Sequence, residues 1–405
     1  ADANNVSITV TLDSASKGAF TSASLSTSGF TNAGGGSYTL ASTTVASAQA
    51  ALRALVFDPA DNRVTPGSTE TTTFTIAVND GTATTNNTTT TVVSTSVNDT
   101  PTLAAPTAGS LTDTAAANTF SNITGTLSGT DPDTGQTRSY GIQGVTASGG
   151  TATQVGTYGT LVVTTATGAY TYTPNATAIN ALTGNASDSF TVTYTDGTGT
   201  ASQTFTVNIT GANDTPTDIA LSATSINQSA ATSGATVATL SGTDADTGQT
   251  LTFSLVSGTG STHNDSFTIS GNTLQVGSTA LAAGTYQIRL RATDNGTGTL
   301  TYEEAVTITV ADNVAPTLGT ITRPTLTNPT GSDTFTITVV YTDTNGSGIS
   351  AASIGTGDIT VTGPGGVGQL TVSNASWSAG TNTATYTVNA PAGGWSSATH
   401  AGTYT

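Results

Sequence analysis

The chain has no cysteine, one lysine (Lys17), six arginines, three glutamates (Glu70, Glu303, Glu304), two histidines (His263, His400) and no long apolar run. Each scarcity excludes something. Without cysteine there is no disulfide and no thiolate metal site. Without a run of about 18 apolar residues nothing reads as a membrane-spanning helix, so membrane insertion is set aside. Seven basic residues against 24 acidic ones give a formal net charge of −17. Such a surface repels a duplex and an anionic bilayer, which sets nucleic acid aside as a partner. Two histidines in distant segments offer no nucleophile–base pair. Glu303 and Glu304 are adjacent, so on a strand they face opposite sides and cannot act as a carboxylate pair. Gly34-Gly-Gly36 and Gly363-Pro-Gly-Gly366 precede no lysine-bearing helix and make poor phosphate cradles. The sequence therefore reads as a non-enzyme. The shortage of lysine also removes cleavage sites for trypsin-like proteases, which suits a protein outside a cell.

What is present is aspartate, threonine and regular punctuation. With 405 residues the chain has room for about four modules of roughly 100 residues each. Nearly all its acids are aspartates, short loop-borne carboxylates that either cap turns or bind hard cations. Calcium is the expected staple for secreted domains without disulfides.

Asn98-Asp99-Thr100-Pro101 recurs as Asn213-Asp214-Thr215-Pro216, and Asp312-Asn313 precedes Ala315-Pro316. Asp80-Gly81, Asp196-Gly197 and Asp294-Asn-Gly296 each fall about 18 residues before the next linker, the length of a closing hairpin. Asp131-Pro-Asp133-Thr-Gly-Gln-Thr returns as Asp244-Ala-Asp246-Thr-Gly-Gln-Thr. Three markers in register define repeats: 1–99, 100–214, 215–312 and 313–405.

Between the markers, apolar residues alternate with period two. Examples are Phe74/Ile76/Val78, Phe190/Val192/Tyr194, Phe205/Val207/Ile209, Tyr286/Ile288/Leu290 and Phe335/Ile337/Val339/Tyr341. That period predicts half-buried antiparallel strands, with Arg289 and Arg291 pointing outward. The fold class is all-β, a tandem array of antiparallel β-sandwiches. Helix is expected at Val45–Val56, capped by Ser42, Thr43 or Thr44, and as a short turn over Ala176–Leu182. The outer modules lack a first or a closing strand, so the chain is expected to be a window of a longer array.

The second module resembles the VCBS-type repeat of large bacterial adhesins. The resemblance lies in Gly125-Thr-Leu-Ser-Gly-Thr-Asp131-Pro-Asp133, Gly168-Ala-Tyr-Thr-Tyr-Thr-Pro-Asn175, Phe190-Thr-Val-Thr-Tyr-Thr-Asp196-Gly197 and Ile209-Thr-Gly-Ala-Asn-Asp214. The third is similar to a bacterial cadherin-type domain through Thr243-Asp-Ala-Asp246, Phe267-Thr-Ile-Ser-Gly-Asn-Thr-Leu274, Gly284-Thr-Tyr-Gln-Ile-Arg-Leu-Arg-Ala-Thr-Asp294-Asn-Gly296 and Ile308-Thr-Val-Ala-Asp-Asn313. The first and fourth resemble bacterial immunoglobulin-like repeats more loosely.

The resemblance implies calcium at the junctions. Asp131 and Asp133 would face Asn98 and Asp99, while Asp244 and Asp246 would face Asn213 and Asp214. Asp294, Asp312 and Asn313 extend the ligand set. One departure weakens it: Gln228 stands where the cadherin-type pattern has an acid. The alternative for every aspartate is a turn cap, and that is the reading for Asp80 and Asp196. Asp343-Thr-Asn345-Gly-Ser-Gly fits a cation loop or a turn equally.

The implied function is an extracellular, cell-surface rod, structural or adhesive, stiffened by calcium. Its partners would be other copies, neighbouring modules, or surface glycans and proteins. One alternative is a self-assembling filament or surface-layer subunit. Another is an accessory carbohydrate-binding array of a secreted hydrolase, with Trp377 and Trp395 as a sugar-stacking platform.

Overall fold

Period-two alternation becomes antiparallel sheet in all four modules. The computed structural model describes residues 5–326, 331, 333–344, 348–396 and 400–405. It divides into two units, Ala1–Ala212 and Asn213–Thr405.

The first module is one five-stranded sheet, in spatial order Thr31–Gly34, Ser37–Thr44, Asn5–Leu12, Thr69–Asn79, Thr84–Thr95. Ile8, Val10, Leu12, Tyr38, Leu40 and Phe74 bury one face. The covering layer departs from the expected immunoglobulin-like sandwich. It is made of helices Ser22–Ser28 and Val45–Arg53 and a ribbon of Gly18–Phe20 with Phe57–Pro59, in place of a second full sheet. Local chemistry explains the helices. Thr21 Oγ1 accepts from the Ser24 N–H at 3.2 Å, and the helix stops on left-handed Gly29 at φ 79°. Thr44 Oγ1 accepts from the Ser47 N–H at 3.2 Å, and the small Ala48 and Ala51 lie buried against the sheet. Helix Val45–Arg53 ends short of the expected Val56. Strand Thr84–Thr95 forms an edge and is exposed along almost its whole length.

The second module is a sandwich. One sheet runs Ile123–Thr126, Ala169–Pro174, Gly159–Thr164, Thr151–Val155; the other runs Ser139–Ile142, Ala186–Thr195, Thr200–Thr210, Gly109–Thr112. The last pair is parallel, with Val207 beside Gly109. Leu161, Tyr172, Phe190, Phe205 and Ile209 fill the core, each worth about 1.5–3 kcal/mol of burial. One buried carboxylate is fully satisfied there. Asp188 accepts from the Tyr172 hydroxyl at 2.7 Å and from the Thr157 and Tyr158 N–H groups at 2.9 and 3.0 Å. The expected turn appears as helix Ala176–Asn180, capped by Asn175.

The third module repeats this plan. Its sheets are Asp218–Leu221, Thr236–Thr243, Thr273–Val276, Phe267–Ser270 and Ser225–Asn227, Thr301–Ala311, Gly284–Thr293, Thr252–Leu255. Ser225–Asn227 again runs parallel to the last strand. Arg289 and Arg291 point outward and share Glu303, at 3.0 and 2.6 Å.

In the fourth module, Thr317–Thr322, Phe335–Thr342, Thr383–Val388 and Val372–Ser378 form one sheet, with a ribbon of Val361–Gly363 and Gly368–Leu370. Trp395 is buried, and its Nε1–H donates to the Asp333 carbonyl at 2.6 Å. Trp377 packs instead in a separate cluster beside Tyr341. The two indoles therefore form no shared sugar platform, because one is core and the other belongs to a different hydrophobic cluster.

Candidate metal centres at the module entrances

Two clusters of the same design stand where a linker enters the second and the third module. In the second, Asp131 lies in the loop after Gly129–Thr130, and its Oδ1 accepts from the Asp133 N–H at 2.8 Å. This turn fixes the direction of Asp133, which is 1% exposed. Asp133 Oδ2 accepts from the Asp99 N–H at 2.7 Å. Asn98 Nδ2 donates to Asp196 Oδ2 at 3.1 Å, and Gln136 Nε2 donates to Asn98 Oδ1 at 2.5 Å. Asp196 heads the closing hairpin. Its Oδ1 accepts from the Thr198 and Gly199 N–H groups at 2.6 and 2.5 Å, and these amides hold its carboxyl below the usual aspartate range. The carboxylates of Asp131, Asp133 and Asp196 lie within 4.8 Å of one another.

The third module builds a similar set of contacts from its own residues. The Asp246 N–H donates to Asp244 Oδ1 at 2.9 Å, and the Asp214 N–H to Asp246 Oδ2 at 2.7 Å. Asn213 Nδ2 donates to Asp294 Oδ2 at 2.9 Å, while Gln249 Nε2 bonds Asn213 Oδ1 and, at 2.8 Å, Asp246 Oδ2. Asp294 Oδ1 accepts from the Gly296 and Leu300 N–H groups at 3.0 and 3.1 Å.

The residues fit a hard cation. Asp131 Oδ2, Asp133 Oδ1 and Gln136 Oε1 are buried without a hydrogen-bond partner, as are Asp244 Oδ2 and Gln249 Oε1. Each such atom costs about 1–3 kcal/mol unless something satisfies it. Among the described residues all of these orphans are side-chain oxygens, the ligand type that calcium takes.

Sequence reasoning placed Asp131, Asp133, Asp244, Asp246, Asp294 and the two Asn-Asp linkers, and the structure brings each set together. It differed at Asp196, read as a turn cap. Asp196 does cap its hairpin, but it also belongs to the cluster, in the place of Asp294. That shared place in the repeat was the available signal. Gln136 and Gln249 were also missed, although both sit in the repeated Asp-Thr-Gly-Gln-Thr motif.

The third linker is different. Asn313 bonds back to Ser229, accepting its N–H at 3.0 Å and donating to its Oγ at 2.8 Å. Asp312 Oδ1 accepts from the Val314 N–H at 3.1 Å. No paired-Asp loop meets them among the described residues. Gln228 Nε2 donates to the Thr344 carbonyl at 3.3 Å, and Gln228 Oε1 and Asp343 Oδ1 are buried without partners. Asn345, Gly346 and Ser347 of the suggested cation loop lie outside the described residues.

Asp113 is a further buried acid. It follows Gly109–Thr112 as Gln228 follows Ser225–Asn227, after a strand parallel to the module's last one. It is 3% exposed, and neither carboxylate oxygen has a partner. Burial raises its pKa, outweighing the nearby Ala212 and Thr114 amides. Asp80 only caps its turn, accepting from the Thr82 and Ala83 N–H groups at 2.8 and 2.7 Å. The two histidines each accept a backbone N–H, His263 from Gln287 at 2.9 Å and His400 from Ser396 at 2.8 Å.

Residues 98–211 match the family model of the bacterial cadherin-like domain. The third module repeats the parallel and antiparallel strand plan of the matched residues. No curated protein sequence matches it. Among solved structures it is similar to protocadherin gamma B7 extracellular cadherin domains 1–4, at 16% identity and TM-score 0.33, covering 74% of this chain and 66% of that one. It is also similar to mouse cadherin-23 EC22–24, at 16% identity and TM-score 0.31, covering 75% of this chain and 86% of that one. Human protocadherin-24 EC1–2 matches at 17% identity and TM-score 0.30, covering 54% of this chain and all of that one. The chain thus spans just under two thirds of the protocadherin gamma B7 fragment.

Proposed function

We propose that the chain is a non-catalytic, extracellular structural or adhesive segment of a bacterial surface protein, whose modules are joined by linkers that calcium locks in place. The observation that carries this reading is the pair of matching clusters. In each, the entering Asn-Asp linker is tied to its module beside orphaned acidic oxygens. Calcium there would be held by Asp131, Asp133, Asp196 and Gln136, and by Asp244, Asp246, Asp294 and Gln249, with the linker asparagines beside them. The metal supplies charge neutralisation. The protein supplies pre-oriented oxygens and a linker that cannot swing once they are engaged. Extracellular modules of this kind bind calcium with dissociation constants on the order of 0.1–1 mM.

Calorimetric melting and X-ray scattering of the chain in calcium and in chelator test this. Calcium at about 100 times its dissociation constant should stabilise the binding modules by about 2.7 kcal/mol per site. Chelation should lower the melting temperature and broaden the scattering dimensions. Identical melting and identical dimensions in both buffers would sink the calcium reading.

One observation favours a second reading, a self-assembling filament or surface-layer subunit. The edge strand Thr84–Thr95 is long and exposed, and carries no charge to block strand addition.

A further inference from the structure

The first junction lies wholly within the unit Ala1–Ala212, and it is tied at more places than the candidate cluster. On the first module, residues 61–68 form a braced loop. Arg63 bonds Glu70 through two nitrogens, at 2.9 and 3.1 Å, which fastens the loop to strand Thr69–Asn79. The loop ends in the turn Thr65-Pro-Gly67-Ser68, closed by the Ser68 N–H to the Thr65 carbonyl at 2.9 Å, with Gly67 left-handed at φ 81°. The start of the linker is zipped to this turn. The Gly67 N–H donates to the Ser96 carbonyl at 2.8 Å, and the Ser96 N–H to the Ser68 carbonyl at 3.0 Å. At the other end, Asp99 is held by Asp133, and Asn98 by Asp196 and Gln136. Between these two sets of anchors the linker has a single residue, Val97, 78% exposed.

The two sides of this junction also touch directly. The Thr134 hydroxyl donates to the Asn62 carbonyl at 3.0 Å, and Asn62 presents that carbonyl from a left-handed backbone at φ 58°. Gly135 faces Thr65 so closely that a Cβ on it would strike the Thr65 side chain and lie 3.5 Å from the Thr65 Cβ. We infer that residues 61–68 are the first module's docking surface for the turn Asp133-Thr-Gly-Gln136 of the second, a latch that holds the first junction independently of any metal. The groups that meet are a hydroxyl, a carbonyl, a glycine and a threonine side chain, so engaging them needs no cation to neutralise charge. The contact is small. It suffices because one free linker residue cannot let the two faces drift apart: their effective concentration is high, and little freedom is left to lose on docking. Asp133 and Gln136, at the two ends of the docked turn, carry oxygens of the candidate cluster. Calcium there would tighten a junction that the latch already keeps closed.

Cross-linking tests this on the full chain, which has no cysteine of its own. The 3.5 Å separation of the two Cβ positions lies in the range a disulfide needs. Under mild oxidant T65C/G135C should therefore close an intramolecular disulfide, in chelator as readily as in calcium, read by free-thiol counts and non-reducing gels. Adding T134V should slow closure in chelator about two- to tenfold, the loss expected for one hydrogen bond. A side chain at left-handed Gly135 carries backbone strain, so a cysteine-free variant gives a second measurement. Thr65 is exposed, so T65W should leave the first module folded yet wedge the two faces apart. Its scattering dimensions in chelator should exceed those of wild type. Closure in calcium alone would overturn the latch and leave the calcium reading standing. So would no closure in either buffer together with T65W dimensions equal to those of wild type. Closure in both buffers, with melting indifferent to calcium, would support the latch and sink the calcium reading.

Discussion

Asp196 and Asp113 are both buried, yet their pKa values shift in opposite directions, because accepted hydrogen bonds outweigh burial at Asp196 and do not at Asp113. Asp196 is surrounded by N–H donors, so its folded pKa lies below its unfolded one. It therefore contributes stability above the unfolded pKa, and that share is lost as pH falls through the folded value. Asp113 is buried without partners and its pKa is raised from 3.8, so its charge costs stability at neutral pH and the cost is relieved as pH falls. In chelator, D113N should melt above wild type at pH 7, with the gap closing as pH falls through the raised pKa. D196N should melt below wild type at pH 7, with that gap also closing in acid. Melting curves of both variants across pH check the signs. An Asp113 gap that widens in acid would show that its carboxylate is satisfied after all.

Strands and their glycines carry the next scale. Gly125 sits in strand Ile123–Thr126, opposite Tyr170, and a Cβ there would lie 2.4–2.8 Å from the Tyr170 ring and hydroxyl. Gly129 is similarly covered by Tyr194. The small residue lets an aromatic from the paired strand lie flat over the backbone, which is how a module with few aromatics closes its core end. G125A should cost the second module about 1–3 kcal/mol through displacement of Tyr170, read by urea unfolding. The flexible outer end of the tyrosine could swing away at little cost, and an unchanged midpoint would show that it does. The helices of the first module make the converse point. Ser22–Ser28 has no apolar periodicity, and only the hydroxyl of Thr21 and the left-handed Gly29 mark its ends.

For the whole molecule, a net charge of −17 keeps copies apart everywhere except along neutral stretches. Edge strand Thr84–Thr95 is such a stretch, with Val92 37% and Val93 60% exposed. If the filament reading holds, electron microscopy of concentrated wild type should show fibres and V93K should remain dispersed, since a lysine on an edge strand blocks pairing. Single particles in both would remove that reading.

Much of this was legible beforehand because it is local or periodic. Alternation with period two dictates strands wherever one face must be buried. The repeated Asn-Asp-Thr-Pro and Asp-x-Asp segments mark the linkers and most of the cluster. A cysteine-free, aspartate-rich chain with two distant histidines offers a metal mainly hard oxygen ligands. Tertiary structure alone decided which oxygens meet. Asn98 and Asp196 are 98 residues apart, and their contact exists only because a closing hairpin returns to the entrance of the module. The helical cover of the first sheet was likewise undecided locally, since serine-rich segments become helix or loop according to what they are packed against.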